Sequence, residues 1–172
     1  MKRLDNFFPE LVVFDMDQTL CESKVPIDGE MTDLLRELLK RTKVAIVSGA
    51  NFERFQIQLI IPVGGDEVLL NNLFIFATSG GSFFKFTENK FGSTWEAVYE
   101  RLLSAPDKER IMTAFKSALD ETSFTPPEKI YGEQFEEKGC QVTFSALGQE
   151  APFDEKKLWD PDARKRQKIV SA

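Results

Sequence analysis

The 172-residue chain is long enough to bury a substantial core and to form one domain or two small ones. Its hydrophobic content of 42% and charged content of 29% are typical of a globular protein, and its net charge of −6 disfavours a nucleic-acid-binding surface. The absence of histidine excludes Ser-His-Asp and Cys-His catalysis and leaves carboxylates as the main catalytic resource.

Cysteine usage and hydropathy favour a cytoplasmic protein. Cys21 and Cys140 have neither metal-ligand spacing nor a third partner, which predicts reduced thiols. The apolar runs are too short to span a bilayer, and the N-terminus lacks a signal-peptide pattern. We therefore expect no membrane and no nucleic-acid partner, whereas a small phosphorylated substrate is compatible with an acidic chain because a bound metal reverses the local charge.

The first predicted strand presents two acids at its carboxyl end. The apolar run from Leu11 to Phe14 is followed at once by Asp15 and Asp17. Open α/β sheets bind ligands at this end of their strands. Extended backbone places these two carboxylates on one side, with Met16 facing away. Two adjacent carboxylates repel each other, so such a pair is tolerated where a cation lies between them or where one is protonated.

Two further strands and their connecting helices follow. Residues 21–29 predict a loop over the acids, and apolar residues at helical spacing from Met31 to Leu39 predict an amphipathic helix. The runs Lys43–Val47 and Leu73–Ala77 predict core strands. The strand, helix, strand order predicts that the first two strands are parallel, with a right-handed crossover.

The residues after the second strand are suited to binding a phosphoryl oxygen. Ser48, Gly49 and Ala50 follow this strand directly, and Asn51 is the predicted N-cap of the next helix. The Ser48 hydroxyl and the backbone amides of Gly49 and Ala50 therefore emerge beside the end of the Asp15 strand, where they can hold such an oxygen.

From residue 82 the pattern changes to an α+β texture. Residues 82–91 predict a hairpin, helical spacing predicts one helix from Trp95 to Leu103 and another from Ile111 to Leu119, and Cys140 to Ser145 alternates like a half-exposed strand. We therefore predict an α/β class with a Rossmann-like parallel core at residues 1–81 and an α+β layer at residues 82–172.

The segment from Asp160 resembles a helix start. Asp160 is the predicted N-cap and Pro161 the first residue of a basic helix that contains Arg164 to Lys168. The basic residues form either a solvated face or a face that attracts phosphate. Asp160 and Asp162 are acids at i and i+2, and because they precede a helix we predict that they cap it.

Other interpretations of these motifs are less well supported by the sequence. Asp15 and Asp17 could form only a strand end and a cap, but their order with Thr19 and Ser48 favours phosphoryl transfer. A calcium loop is excluded because Leu20 stands where glycine is needed and Pro26 where glutamate is needed. The pair at residues 80–81 lacks the third spaced glycine of a dinucleotide loop.

The pattern Asp15-x-Asp17-x-Thr19 after one apolar strand, with Ser48 and Gly49 after the next, resembles the first two motifs of the haloacid dehalogenase superfamily. The runs Val47–Leu59 and Ser145–Gln149 are similar to eukaryotic-type phosphomannomutases and their subfamily IIB relatives. The resemblance implies a catalytic core followed by a cap that selects the substrate. It leaves open a homodimer formed through the cap.

The resemblance also implies roles for these residues. Asp15 would be the nucleophile that forms an aspartyl-phosphate, and Asp17 the general acid and then base. Mg²⁺ would be held by the Asp15 carboxylate and the Asp17 backbone carbonyl, Thr19 would brace the loop, and Ser48 would bind the phosphoryl group. The expected reaction is magnesium-dependent hydrolysis of a small phosphomonoester, such as a sugar phosphate.

Departures from the mutase pattern favour hydrolysis. Tyr131, Lys138 and Gln149 stand at cap positions where the mutases grip a sugar phosphate with arginines, and Lys24 replaces an arginine in the loop after the first motif. Lys24 and Lys138 remain the candidate substrate-binding cations. A hexose-phosphate mutase is the alternative enzyme.

The superfamily's third motif, a lysine, and its fourth, an acidic pair, have no counterpart after Gly148. We therefore expect a chain truncated before the last part of the core. This expectation keeps open a third possibility, a non-catalytic fragment that binds phosphorylated ligands.

Overall fold

The computed structural model describes residues 8–90 and 92–172, which form two compact units. The first unit extends to Arg101, and the second runs from Leu102 to Ala172. Within the described ranges, no helix combines the length and the apolar character that a membrane crossing requires.

A five-stranded sheet in the order β1-β2-β3-β4-β5 forms the centre of the first unit. Its strands are β1 (Leu11–Asp15), β2 (Lys43–Val47), β3 (Leu73–Ala77), β4 (Ser82–Asn89) and β5 (Gly92–Glu100). The first three strands are parallel, with Asp15 opposite Val47, and the last two are antiparallel. The predicted α/β class and the parallel pairing are confirmed, so β1, β2 and β3 end at the same edge of the sheet.

Short helices connect the parallel strands of the first unit. They are α1 (Gly29–Leu39), α2 (Phe52–Phe55), α3 (Ile61–Val63) and α4 (Glu67–Leu70), with a π-helical segment, Gln56–Ile60, between α2 and α3. Asp28 caps α1 by accepting from the Met31 amide at 2.8 Å. Asn51 caps α2, as predicted, by accepting from the Arg54 amide at 3.1 Å.

Aliphatic side chains of β2 and β3 pack against these helices. Val44, Ile46, Leu73 and Ile75 are fully buried. The helices complete the same cluster with Leu35, Leu39, Phe55, Leu59 and Leu69. Each fully buried side chain of this size contributes about 1.5–3 kcal/mol by leaving water. This cluster fixes the strands whose ends carry the polar residues.

The segment after β4 is a strand, so the predicted helix from Trp95 to Leu103 is wrong. Trp95 lies opposite Phe86 on the neighbouring strand with ring centroids 5.7 Å apart, and Tyr99 lies 5.9 Å from Phe83. Cross-strand aromatic pairs of this kind stabilise a sheet. The spacing of the apolar residues from Trp95 onward fits a helix or a strand, and these aromatic pairs select the strand.

The β4–β5 hairpin belongs to the same sheet as the parallel strands, so the first unit extends beyond the predicted boundary at residue 81. The predicted division between residues 81 and 82 falls inside the first unit, because the compact units separate after Arg101. The assignment of a catalytic role to one part and of substrate selection to the other remains a prediction.

The second unit combines three helices with a two-stranded antiparallel sheet. Its elements are α5 (Ala105–Glu121), β6 (Phe135–Glu137), β7 (Val142–Phe144), α6 (Phe153–Trp159) and α7 (Arg164–Val170). The predicted helix at residues 111–119 lies within α5, and the predicted strand at residues 140–145 contains β7. Phe115, Phe124 and Phe135 surround Phe144 at centroid distances of 6.0, 5.7 and 4.9 Å.

Asp160 caps a helix, as predicted, but from farther away than expected. Its carboxylate accepts from the amides of Lys165 at 3.0 Å and Arg166 at 3.1 Å, and Asp162 accepts from the Arg164 amide at 3.3 Å. The helix begins at Arg164, so the prediction of Pro161 as its first residue is wrong. Residues 160–163 form a turn between α6 and α7 in which the buried Asp160 side chain reaches forward.

Candidate active site

A tight turn after β1 arranges the acidic motif. The Met16 carbonyl accepts hydrogen bonds from the amides of Thr19, Leu20 and Cys21 at 3.3, 2.9 and 3.3 Å. Met16 itself is fully buried, which anchors the turn in the core. Thr19 Oγ1 donates to Asp15 Oδ2 at 3.3 Å, and both side chains are exposed. The turn therefore presents the Asp15 carboxylate to solvent with one hydroxyl to orient it.

Ser48 connects the ends of β1 and β2. Its Oγ donates to Asp17 Oδ2 at 3.0 Å and accepts from the Ala50 amide at 3.1 Å. Ser48 is only 3% exposed, so these hydrogen bonds are largely shielded from water. The structure thus brings together Asp17 and Ser48, which the strand order placed at one edge. It also directs the Ala50 amide at the Ser48 hydroxyl, whereas the sequence suggested an amide open to a phosphoryl oxygen.

The end of β3 contacts the same loop. The Thr78 amide donates to the Ala50 carbonyl and the Ser79 amide to the Ser48 carbonyl, both at 2.8 Å. Sequence reasoning missed these two residues as part of the site. They could have been found because β3, like β1 and β2, ends in polar residues at the edge where open α/β sheets bind ligands.

The pKa of Cys21 is raised by its surroundings, which include both acids. Burial raises the pKa of the Cys21 thiol, and the negative charges of Asp17 and Asp15 raise it further. Neither Cys21 nor Cys140 forms a disulfide. Two carboxylates so close together repel each other, and a cation beside them would relieve that repulsion.

The donor set of this cluster consists of oxygen atoms, which fits magnesium. Mg²⁺ usually binds one or two carboxylates and keeps several waters. In this turn, the Asp15 carboxylate and the Asp17 backbone carbonyl are the oxygen atoms that would hold such an ion. In the described ranges, no three acidic or cysteine side chains come close enough to form a metal cage.

The two candidate substrate-binding lysines lie in different units. Lys24 belongs to the loop after the acidic turn and has a left-handed backbone, with φ 66°. Lys138 belongs to the second unit, where its Nζ lies 3.4 Å from Glu136 Oε2 and its side chain is 13% exposed. Their roles in substrate binding stay predictions.

Comparisons with known proteins agree with the motifs. No protein-family model matches the sequence. The chain is 39% identical to a probable phosphomannomutase of Caenorhabditis elegans over 80 residues, which are 45% of this chain and 30% of that protein. It is 33% identical to phosphomannomutase 1 of Mus musculus over 70 residues, 41% of this chain and 26% of that protein. The chain thus spans about a quarter to a third of the curated relatives' length.

A solved structure shares the fold. The IMP-bound, N-terminally truncated IMP-nucleotidase of Plasmodium falciparum superposes with a TM-score of 0.55 at 17% identity, covering 94% of this chain and 46% of that one. The chain thus shares its fold with this IMP-nucleotidase, and part of its sequence is similar to phosphomannomutases, as the resemblance of the motifs predicts.

Proposed function

We propose that this chain, haloacid dehalogenase-like in fold and phosphomannomutase-like in part of its sequence, transfers the phosphoryl group of a small phosphomonoester to water through Asp15. The observation that carries the proposal is the 3.0 Å hydrogen bond from Ser48 Oγ to Asp17 Oδ2. It joins the ends of neighbouring parallel strands, and this supports a reaction in which Asp15 is the nucleophile, Asp17 carries the proton and Ser48 binds the phosphoryl group.

In the proposed first step, Asp15 attacks phosphorus. An oxygen–phosphorus bond forms to the Asp15 carboxylate, the bond from phosphorus to the ester oxygen breaks, and Asp17 gives its proton to the leaving oxygen. In the second step, Asp17 takes a proton from water, whose oxygen attacks phosphorus, and Asp15 leaves as a free carboxylate with release of inorganic phosphate. One difficult displacement becomes two easier ones.

The surrounding groups support these roles. The exposed Asp15 carboxylate is open to substrate, and the 3.3 Å hydrogen bond from Thr19 limits its rotation. Ser48 Oγ, held at Asp17, can redirect its hydrogen bond to a phosphoryl oxygen. We propose that the Asp15 carboxylate and the Asp17 backbone carbonyl hold Mg²⁺, which screens the anionic phosphoryl group from the attacking carboxylate.

A hexose-phosphate mutase is the second candidate, favoured by the similarity to phosphomannomutases. At two of the cap positions where the mutases hold the sugar phosphate with arginines, this chain has uncharged side chains. Tyr131 Oη donates to Glu155 Oε1 at 2.5 Å, and Gln149 Nε2 donates to the Gln134 carbonyl at 3.2 Å. Neither residue provides the bidentate fork of an arginine. Hydrolysis therefore remains the better-supported reaction.

Trapping with beryllium fluoride and Mg²⁺ tests the proposal. We expect a beryllium fluoride adduct on the Asp15 carboxylate. Fluorine NMR should detect it in the unmodified chain and not in Asp15→Asn. An adduct on another residue would contradict the assignment. With sugar phosphates, release of inorganic phosphate supports hydrolysis, whereas phosphate retained on the sugar and turnover stimulated by a sugar bisphosphate support the mutase. Calorimetric binding of phosphate without turnover supports a non-catalytic domain.

The proposal also includes a cellular location and an oligomeric state. A small phosphorylated metabolite as substrate and two cysteines that form no disulfide suit the cytoplasm. A homodimer through the second unit, if it forms, will double the mass measured by light scattering of the purified chain, and a monomeric mass rules it out.

A further inference from the structure

Three consecutive residues at the end of β3 have left-handed backbone conformations. Their φ angles are 50° at Thr78, 57° at Ser79 and 85° at Gly80. Glycine adopts this region readily, whereas a β-branched threonine there is a genuine outlier. Thr78 is also 5% exposed, and its hydroxyl donates to the Ala77 carbonyl at 2.8 Å. The fold thus keeps strained, non-glycine residues at the edge that carries the site.

This turn aims two successive amides at one loop. The Thr78 amide reaches the Ala50 carbonyl and the Ser79 amide reaches the Ser48 carbonyl. In an extended strand, successive N–H groups point to opposite sides, so only one of the two could reach the neighbouring loop. A helical turn of the backbone brings successive N–H groups to one side. The strained conformation is therefore what allows both hydrogen bonds.

These hydrogen bonds fix the Ser48 backbone on both sides of its side chain. The Ser48 amide donates to the Phe76 carbonyl at 3.1 Å, and its carbonyl accepts from Ser79. The place of Ser48 Oγ relative to Asp17 is therefore set by β3 as well as by its own loop. We infer that Thr78 and Ser79 are positioning residues that hold the Ser48 hydroxyl at Asp17. The catalytic consequence rests on the proposed function: the turn keeps that hydroxyl ready for the transferred phosphoryl group.

Ser79→Val in the full chain tests the inference. Valine tolerates the left-handed region less well than serine, so the turn opens and its amides lose their acceptors. We expect the amide protons of Thr78, Ser79 and Ala50 to exchange with solvent about tenfold faster in NMR experiments. The amide of Ile46, in the middle of β2, keeps its rate. A comparable fall in kcat for a phosphomonoester accompanies the faster exchange.

Ser123→Val is the matched control. Ser123 is also an exposed serine, with φ 52°, and it follows α5 in the second unit. The control adds the same strain elsewhere, so we expect it to lower stability without changing kcat or the exchange of Thr78, Ser79 and Ala50. Ser79→Gly keeps the amide and removes the steric cost, so the slow exchange of Ser79 and Ala50 is retained.

The outcomes separate the inference from the proposed function. Should Ser79→Val not fold, Ser79→Thr introduces the β-branch with a hydroxyl in place of one methyl group. Unchanged exchange at Ser79 and Ala50 in the β-branched variants, or equal acceleration in Ser123→Val, overturns the inference. Failure of the unmodified chain to transfer phosphate removes the proposed function, yet the exchange rates still decide whether the turn holds the Ser48 loop.

Discussion

The two units of the chain stabilise themselves in different ways. The first encloses aliphatic side chains such as Val44, Ile46 and Leu73 completely between its sheet and helices. The second groups half-buried aromatic rings around Phe144, and no residue of its longest helix is fully buried. A closed, densely packed core has little freedom to deform. The polar residues at the strand ends of the first unit therefore have a rigid support, as a catalytic site requires.

The hydrogen bonds of the polar residues also differ between the two units. In the first unit, Asp17 and Ser48 come from different strand ends and bond to each other beside an exposed acid, Asp15. In the second, Tyr131 and Gln149 bond to neighbours that complete local structure. This contrast suggests that chemistry resides in the first unit, and it can be challenged by substitutions in either.

The largest effect is expected from Asp15→Asn. The amide keeps the shape of the side chain but cannot act as the nucleophile, so phosphomonoester turnover falls by roughly 10⁴-fold or more. Because Asp15 is exposed, stability changes little. The matched control is Asp154→Asn at an exposed aspartate of the second unit, which leaves kcat unchanged. Full activity in Asp15→Asn would break the contrast between the units.

A large structural effect is expected from Gly148→Ala in the second unit. Gly148 has φ 89°, and an added Cβ would lie 2.1 Å from the Tyr131 carbonyl oxygen. We expect a loss of about 3 kcal/mol in the free energy of unfolding, measured by urea denaturation. Gly65→Ala is the control, because its Cβ meets nothing within 4 Å. A stable Gly148→Ala variant would show that this part of the second unit is looser than the structure indicates.

The parallel half of the first unit could be predicted from sequence because its signals are local. β2 and β3 match the predicted runs residue for residue, since each is a short apolar segment bounded by polar or turn residues. The meeting of Asp17 with Ser48 followed from strand order alone, because parallel strands that are neighbours end side by side.

Other features depend on partners distant in sequence and could not be predicted. Trp95 and Tyr99 fit helical spacing as well as a strand, and only their pairing with β4 selects the strand. The left-handed turn at Thr78 contradicts the preference of a β-branched residue, so propensity argues against it. Its hydrogen bonds to the loop after β2 become visible only in the folded chain.

A smaller effect on stability is expected from Ser48→Ala, which tests how far the site depends on the framework of the first unit. Loss of the hydroxyl removes the hydrogen bond to Asp17 and leaves the Ala50 amide without its acceptor. We expect a cost of about 1–3 kcal/mol in urea denaturation and about a hundredfold lower kcat. Thr122→Val removes a buried hydroxyl that donates to the Ala118 carbonyl in the second unit. It should cost stability without lowering kcat, and a drop in kcat there would contradict the contrast.

The smallest effect concerns acid stability of the second unit and depends on Asp160. Burial favours the neutral carboxyl, but the Arg166 side chain and the amides of Lys165 and Arg166 outweigh burial and hold the pKa of Asp160 below its ordinary value. Since the pKa is lower in the folded than in the unfolded state, the carboxylate stabilises the fold above the unfolded value of about 3.9. This contribution is lost as the pH falls through the lower, folded value.

Asp160→Asn should therefore be less stable than the unmodified chain at neutral pH, and the difference should shrink as the pH falls below about 4. Urea midpoints measured across this range check the expectation. Asp154→Asn, at an exposed carboxylate, should change the stability at neutral pH much less than Asp160→Asn does. A constant gap between Asp160→Asn and the unmodified chain would mean that Asp160 stabilises the turn between α6 and α7 through its shape and not its charge.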